Sequence, residues 1–393
     1  MRIALGVTAV WKGAPTHRLR ISHSAPARPT RYAGSIFLLL FLFLPWPVRE
    51  YALGTSSDFD DLAFRAAAAR DQHNIPLAID LYGQAEQLKP DWAEGWFYLG
   101  LLEYSSNGYK AASDAFNHFL QLKPGAAPAL ALRGLCEFET SDFDNALRDL
   151  EESVRNGAAD DPHNEQIIRY HFAQLLTRAG RFEDAVAQYR FFVAHRIEDP
   201  DLLVGLGLAA MRIQAMSGNV PPANREFLQA VGTAGYTFLS GDSEGASQRF
   251  DQLFALYPKV PELYSFYGNL LFQHSPEQAI QQFRSAVALA PDNANARAML
   301  AYLLMVAGHY AEARPEAEQA LAAAPDMELA QIALGRSLAE TGEEKRAAEL
   351  LNQVLKKDPE SLEAHMGLAA MYARSGKRED AYRERMFCLG QSQ

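Results

Sequence analysis

Apolar residues recur at three- and four-residue spacing along most of the chain, which predicts amphipathic helices rather than strands. In residues 93 to 126, Trp96, Leu99 and Tyr104 follow one such helical face. The pair Asn107-Gly108 then interrupts the pattern, and a second helical stretch runs to Lys123-Pro124. Proline lacks an amide hydrogen and disfavours helix at the preceding residue, so the second helix ends there. The segment predicts a hairpin of two helices.

The hairpin pattern repeats along the chain with a period of about 34 residues. Pro90 and Pro124 lie 34 residues apart, and the same step joins Pro291, Pro325 and Pro359. Turn glycines keep a similar spacing and are expected to adopt positive φ at the ends of helices; they are Gly180, Gly241, Gly308, Gly342 and Gly376. A fixed period in this range is typical of stacked copies of one helical unit.

Within each unit, small residues and large apolar residues occupy fixed places. Trp96-x-x-Leu99-Gly100 is followed by Ala112-x-x-x-Phe116 and Pro124, and Leu334-Gly335 is followed by Ala347-x-x-x-Leu351 and Pro359. The chain therefore resembles the tetratricopeptide repeat family, whose unit has this pattern. The resemblance implies an all-α fold, a right-handed superhelical solenoid of antiparallel helix pairs. Nine units are predicted to start near Phe59, Ala93, Ala127, Gln166, Phe227, Val260, Ala294, Glu328 and Leu362.

Interruptions of the period predict the domain organisation. Ala158 and Ile197 stand where a terminal proline is expected, and a polar insert, residues 160 to 164, separates two units. Residues 201 to 216 predict an extra helix without a partner helix. We predict a targeting segment at 1–54, four units at 55–199, an irregular helix and linker at 200–226, and five units at 227–393. Polar residues of the last helix, such as Arg385, predict a cap on the final unit.

The first 54 residues differ in composition from the repeats. Residues 1–50 carry seven basic residues and one acidic residue, whereas the rest of the chain has a net charge of −17. A short apolar run, residues 36 to 44, follows the basic stretch, and Ala52-Leu53-Gly54 offers small residues for cleavage. This order is typical of a secretory signal and predicts an exported, periplasmic or envelope-associated protein of a bacterium. The alternatives are an uncleaved membrane anchor, for which the run is shorter than the ~20 residues of a spanning helix, and a cytoplasmic protein.

The sequence disfavours several chemical functions. Gly241-Asp242-Ser243-Glu244-Gly245 matches the spacing of a hydrolase nucleophile elbow, but it falls between two predicted helices, whereas the elbow needs a preceding strand. Two scattered cysteines and isolated histidines predict neither a zinc site nor a disulfide framework, so no cofactor and no metal are expected. The acidic repeats disfavour nucleic-acid binding.

The remaining candidate site is the surface of the repeats. In the family that the chain resembles, the first helix of each pair lines a concave groove, and the resemblance assigns twelve residues to it. They are Phe97, Leu101, Tyr104, Phe138, Tyr170, Gln174, Phe238, Asn269, Phe272, Tyr302, Met305 and Arg336. An apolar and aromatic lining of this kind suits an extended peptide or an amphipathic helix.

The sequence thus predicts a non-enzymatic protein-interaction scaffold that takes part in envelope or secretion assembly. Its partner is expected to be a protein or peptide, and contact with a membrane is expected only through the N-terminal segment. Two alternatives stay open. One is a regulatory or carrier subunit of a separate enzyme, and the other is a hydrolytic or glycan-handling protein with its site in the groove.

Overall fold

The computed structural model describes residues 58–157 and 162–390. These residues form nineteen α-helices and no strand, as the helical period predicts. The chain divides into two compact units, Met1–Leu202 and Leu203–Gln393. The predicted targeting segment, 1–54, and Ala158 lie outside the described residues. No helix in the described ranges has the length and apolar character to cross a membrane.

The first unit contains four antiparallel helix pairs. Each pair joins a first helix, which carries the predicted small residue, to a second helix that ends near the repeat boundary. The helices are α1 (Asp58–Asp71), α2 (Ile75–Leu88), α3 (Ala93–Ser105), α4 (Tyr109–Leu122), α5 (Ala127–Glu139), α6 (Phe143–Arg155), α7 (Pro162–Arg178) and α8 (Phe182–Ala194). Helix α7 begins at Pro162, so the last three residues of the predicted insert belong to a helix. Proline is well suited to a first helical turn because the amide it lacks has no helical partner there.

The second unit contains a single helix and five further pairs. The single helix, α9 (Pro200–Ala210), begins at the end of the first unit and lies mostly in the second. The pairs are formed by α10 (Pro222–Leu239), α11 (Ser243–Leu256), α12 (Pro261–Leu271), α13 (Pro276–Leu289), α14 (Ala294–Val306), α15 (Tyr310–Ala323), α16 (Glu328–Thr341), α17 (Glu344–Lys357), α18 (Leu362–Arg374) and α19 (Arg378–Gly390). Nine pairs confirm the predicted number of repeats.

The small residue of each unit lies where its two helices meet. A Cβ atom on Gly100 would stand 2.6 Å from the Phe116 ring, and one on Gly268 would stand 2.8 Å from the Phe283 ring. Both aromatic rings are buried, with at most 1% of their surface exposed. The glycines therefore set the distance between paired helices, as the repeat pattern predicts.

Left-handed residues end the first helix of most pairs. The five turn glycines have φ between 73° and 92°, as predicted. At Gly108, however, φ is −78°, and the preceding Asn107 adopts the left-handed conformation with φ of 62°. Asparagine tolerates this region because its side chain can hydrogen-bond locally. The glycine instead forms the N-cap of α4.

A recurring hydrogen bond closes the boundary between units. Five different side chains, each six residues after a boundary proline, have a nitrogen or hydroxyl within hydrogen-bond distance of that proline's carbonyl oxygen. The pairs are Trp96–Pro90, Tyr264–Pro258, Arg297–Pro291, Gln331–Pro325 and His365–Pro359, with distances of 2.6 to 3.3 Å. The bond satisfies a carbonyl that no helix uses. Sequence analysis missed it because the donor changes type from unit to unit.

Helix α9 differs from the predicted extra helix in length and in its partner. It ends at Ala210 rather than at Met216, because Arg212 adopts the left-handed conformation with φ of 54°. It also packs closely against α10. A Cβ on Gly207 would lie 2.0 Å from the Leu228 carbonyl oxygen, and one on Gly232 would lie 1.8 Å from the Leu203 carbonyl oxygen.

We expect Gly232→Ala to destabilise the second unit by at least ~1–3 kcal/mol, because the added methyl group would displace the backbone of α9. Gly83→Ala is the matched control, since nothing lies within 4 Å of its Cβ position in the interior of α2. That substitution should instead stabilise by ~0.5–1 kcal/mol, the helix preference of alanine over glycine. Urea-unfolding midpoints measure both effects, and a Gly232→Ala midpoint equal to that of the unchanged protein would contradict the close approach.

Candidate functional site

The six groove residues assigned to the first unit, here called the first groove, lie on α3, α5 and α7. Four of them are buried, with exposed fractions from 4% to 8%: Phe97, Leu101, Tyr170 and Gln174. Tyr104 and Phe138 are half-buried and keep part of their rings at the surface. A bound partner would therefore touch Tyr104 and Phe138 and rest on a floor made by the other four.

Tyr104 and Phe138 each pair with an aromatic residue at the start of the next helix. The ring centroids of Tyr104 and Tyr109 are 5.7 Å apart, and those of Phe138 and Phe143 are also 5.7 Å apart, both edge to face. This arrangement matches the quadrupoles of the two rings. His171 extends the row, with its ring 4.7 Å from Phe138. Sequence analysis missed the second members, although the 34-residue step from Tyr109 to Phe143 is visible in the sequence.

The environment of this row is both apolar and charged. Burial raises the pKa of the Tyr104 hydroxyl well above its ordinary value, so the tyrosine is neutral at physiological pH. The guanidinium carbon of Arg178 lies 4.5 Å from the Phe143 ring centroid, and an Arg178 nitrogen lies 3.8 Å from the Asp144 carboxylate. The surface thus already accommodates a cation next to an aromatic ring.

The six groove residues of the second unit, here called the second groove, are also divided between core and surface. Met305 is completely buried, and Phe238 is 9% exposed. Phe272, Tyr302 and Arg336 are half-buried, and Asn269 is exposed. The Phe272 and Tyr302 rings lie 6.1 Å apart, and burial raises the pKa of Tyr302. The surface of this groove is therefore formed by Asn269, Phe272, Tyr302 and Arg336.

The serine of the hydrolase-like motif lies in an ordinary helix start. Gly241 has φ of 92°, and the Asp242 carboxylate accepts a hydrogen bond from the Gly245 amide at 2.8 Å as the N-cap of α11. Ser243 is the exposed first residue of that helix. The motif is thus a helix cap, and the nucleophile elbow would require a strand before it. Among the described residues, no three His, Cys, Asp or Glu side chains are placed to hold a metal ion.

Comparisons with known proteins agree with the repeat pattern. Two family models described as tetratricopeptide repeat match the chain, one at residues 65–127 and 170–234 and the other at 270–336 and 305–371. Together these ranges span more than half of the chain. No curated protein matches the chain.

Several solved structures are similar to the chain. The crystal structure of PilW, a widely conserved type IV pilus biogenesis factor, is 19% identical, with 44% of this chain and 79% of that chain covered and a TM-score of 0.37. MamA from Desulfovibrio magneticus RS-1 is 21% identical, with coverages of 42% and 94% and a TM-score of 0.37. The Cut9–Hcn1 hetero-tetramer of APC/C is 15% identical, with coverages of 85% and 66% and a TM-score of 0.35.

Proposed function

The chain belongs to the tetratricopeptide repeat family, and from this we propose that it is a non-enzymatic scaffold whose grooves bind a peptide or helix of a partner protein. The partly exposed aromatic rows support the proposal most directly. Tyr104 and Phe138 in the first groove, and Phe272 and Tyr302 in the second, keep ring surface exposed above a buried apolar floor. Aromatic side chains in this setting contribute strongly to protein binding.

A role in envelope or secretion assembly forms part of the same proposal. Its support is the basic and apolar N-terminal segment, residues 1–54, which lies outside the described residues. If this segment directs export, the N-terminal sequence of protein recovered from the periplasm or envelope should begin after Gly54. A mature protein that begins at Met1 would argue against cleavage.

The groove proposal is tested by removing the exposed rings of one groove at a time. The variants are Tyr104→Ala with Phe138→Ala, and Phe272→Ala with Tyr302→Ala, each compared with Leu88→Ala. Leu88 is 55% exposed near the end of a second helix and is not a groove residue. Each partner is first captured from the cell envelope with the full chain, identified by mass spectrometry, and then titrated in purified form.

We expect at least one double variant to weaken partner binding by ~10-fold or more, since one buried aromatic ring is worth ~1.5–3 kcal/mol. Leu88→Ala should bind normally, and all variants should keep their far-ultraviolet helical signal. Binding that is unchanged in both double variants would place the interaction outside the grooves and refute the proposal.

A further inference from the structure

The last helix pair exposes apolar side chains at positions that earlier pairs bury. Met366 on α18 is 52% exposed, whereas Ile332 and Ala298, which lie 34 and 68 residues before it, are 3% and 1% exposed. The difference has a simple cause. Helix α18 packs on α16 and α17 of the preceding pair, but no helix follows α19 in the described part of the chain.

Helix α19 adds to this exposed surface. Tyr382, Met386 and Leu389 follow one another at four- and three-residue spacing and are 65%, 45% and 59% exposed. The predicted polar cap is therefore wrong in part: Arg385 is exposed as expected, but an apolar row lies beside it. We call this surface the tail face and define it as Leu362, Met366, Tyr382, Arg385, Met386 and Leu389. A contiguous apolar surface of this kind is typical of an interaction site.

The first helix has a matching exposed residue, Phe64, which is 74% exposed. Leu132, two repeat steps later, is only 1% exposed. In the last pair the same position is Gly367, where a Cβ would lie 2.9 Å from the Leu351 side chain of the preceding pair. The position of Phe64 is thus the one that contacts a preceding pair. Phe64 and its exposed neighbour Asp61 define the head face.

The two faces carry opposite charges. Arg385 occupies the place of the buried Leu351 one repeat earlier, and Arg378 is exposed at the start of the same helix. Helix α1 begins with the exposed carboxylates Asp58 and Asp61. If α1 of a second copy stacked on the tail face as α18 stacks on α17, Phe64 of that copy would lie beside Arg385. Arginine next to an aromatic ring is a favourable contact, and the nearby aspartate adds attraction.

We propose that the tail face of one copy binds the head face of a second copy, so that the chain associates head to tail. The second copy continues the stacking of helix pairs and covers Met366 and Tyr382. Because the two contacting surfaces differ, the interface is heterologous, and each added copy leaves one tail face and one head face exposed. This surface is separate from both grooves and does not depend on the proposed partner binding.

Two variants of the full chain test the proposal, one for each face. Met366→Glu with Tyr382→Glu places charges on the tail face, and Phe64→Glu places one on the head face. All three side chains are more than half exposed, so the fold should be kept. Leu256→Glu is the control, because Leu256 is 73% exposed on α11 and belongs to neither face.

Analytical ultracentrifugation across a concentration series measures the outcome. The unchanged protein and Leu256→Glu should increase in mass with concentration, while each face variant alone should stay monomeric, with association weakened at least 10-fold. A 1:1 mixture of the two variants should form dimers and stop there, because it contains one intact tail face and one intact head face per pair.

Three outcomes would overturn the proposal. The unchanged protein could remain monomeric at every concentration. The Phe64→Glu variant could still associate, which would indicate contact between two tail faces. The mixture could fail to form a dimer although both variants retain their helical signal and urea-unfolding midpoint.

Discussion

Replacing Glu86 by leucine is expected to stabilise the first unit by a few kcal/mol at neutral pH. Glu86 is 2% exposed on α2, and neither carboxylate oxygen accepts a hydrogen bond of normal geometry. The carboxylate lies under the start of α3, where a Cβ on Gly95 would stand 2.0 Å from its Oε1. Equivalent positions, four residues before a boundary proline, carry the buried Leu120 and Val287. Leucine therefore suits the site, whereas a buried carboxylate without partners is costly.

The effect should depend on pH in a defined direction. Burial raises the pKa of Glu86 to about 8, the charge of Asp91 adds to the shift, and the Trp96 amide opposes it. The folded protein therefore holds a proton that the unfolded chain, with an ordinary value of 4.5, releases. The resulting stabilisation is fully present below about pH 4.5 and is lost as the pH rises through about 8, at up to ~1.4 kcal/mol per pH unit.

Urea unfolding at a series of pH values between 4 and 9 measures this dependence. Glu86→Gln keeps the shape of the side chain without its charge, so it should match the unchanged protein near pH 4 and exceed it in stability near pH 8. Glu86→Leu should be the more stable protein over the upper part of the range. Parallel stability curves for the unchanged protein and Glu86→Gln would show that Glu86 does not hold the proton.

Removing Arg133 is expected to have a comparably large effect of opposite sign. The Arg133 guanidinium on α5 donates through Nε and Nη2 to both oxygens of Asp149, and through Nη1 to Asn117 Oδ1 at 2.7 Å. Asp149 is only 1% exposed. Arg133→Met would leave this carboxylate buried without its cation, a change that costs ~3–5 kcal/mol in comparable sites.

Glu137 shares the same cation and increases the expected loss. An oxygen of Glu137 lies 3.9 Å from Arg133 Nε, and burial together with the charge of Asp149 raises its pKa to about 7. Arg133 opposes that rise, so without it both carboxylates would lie in an environment of uncompensated negative charge. The destabilisation by Arg133→Met should therefore be larger at pH 8 than at pH 5.

Two further variants make the Arg133 experiment decisive. Arg133→Met with Asp149→Leu removes both charges and should recover most of the lost stability. Arg181→Met breaks a more exposed pair, in which Arg181 donates to both oxygens of Glu151 at 2.8 and 2.9 Å, and should cost no more than ~1 kcal/mol. Hydrogen exchange of α4 to α6 and urea unfolding report the changes. An Arg133→Met protein as stable as the Arg181→Met protein would contradict the buried pair.

The predictions that came from spacing were confirmed, because each depends on residues close in sequence. The 34-residue step of Pro90 and Pro124 fixed the repeat, and Gly100 with Phe116 marked the helix contact within a unit. Predictions that depended on a neighbouring helix were less complete. Residues 201 to 216 were expected to form a helix without a partner, yet Gly207 and Gly232 bring α9 and α10 into close contact.

Within the grooves, the repeat register identified positions but not their exposure. Tyr104 and Met305 were assigned to the groove by the same rule, yet Tyr104 keeps part of its ring at the surface and Met305 has none of its surface exposed. Whether a side chain is accessible depends on what the adjacent pair places over it. That contact joins residues far apart in sequence, so the register of one unit does not contain it.

The sequence by itself determined the helical period, the tetratricopeptide repeat family, the number of pairs and most of their turns. These features follow from local backbone preferences and from apolar positions repeated within each unit. Only the tertiary structure decided which of those positions are covered. It showed that Glu86 and Asp149 are buried, that Tyr109 and Phe143 extend the aromatic row, and that Met366 is exposed where Ile332 is not. The physical reason is that burial and electrostatics in a solenoid are set between neighbouring helices, and the same residue type therefore belongs to the core in one unit and to the surface in another.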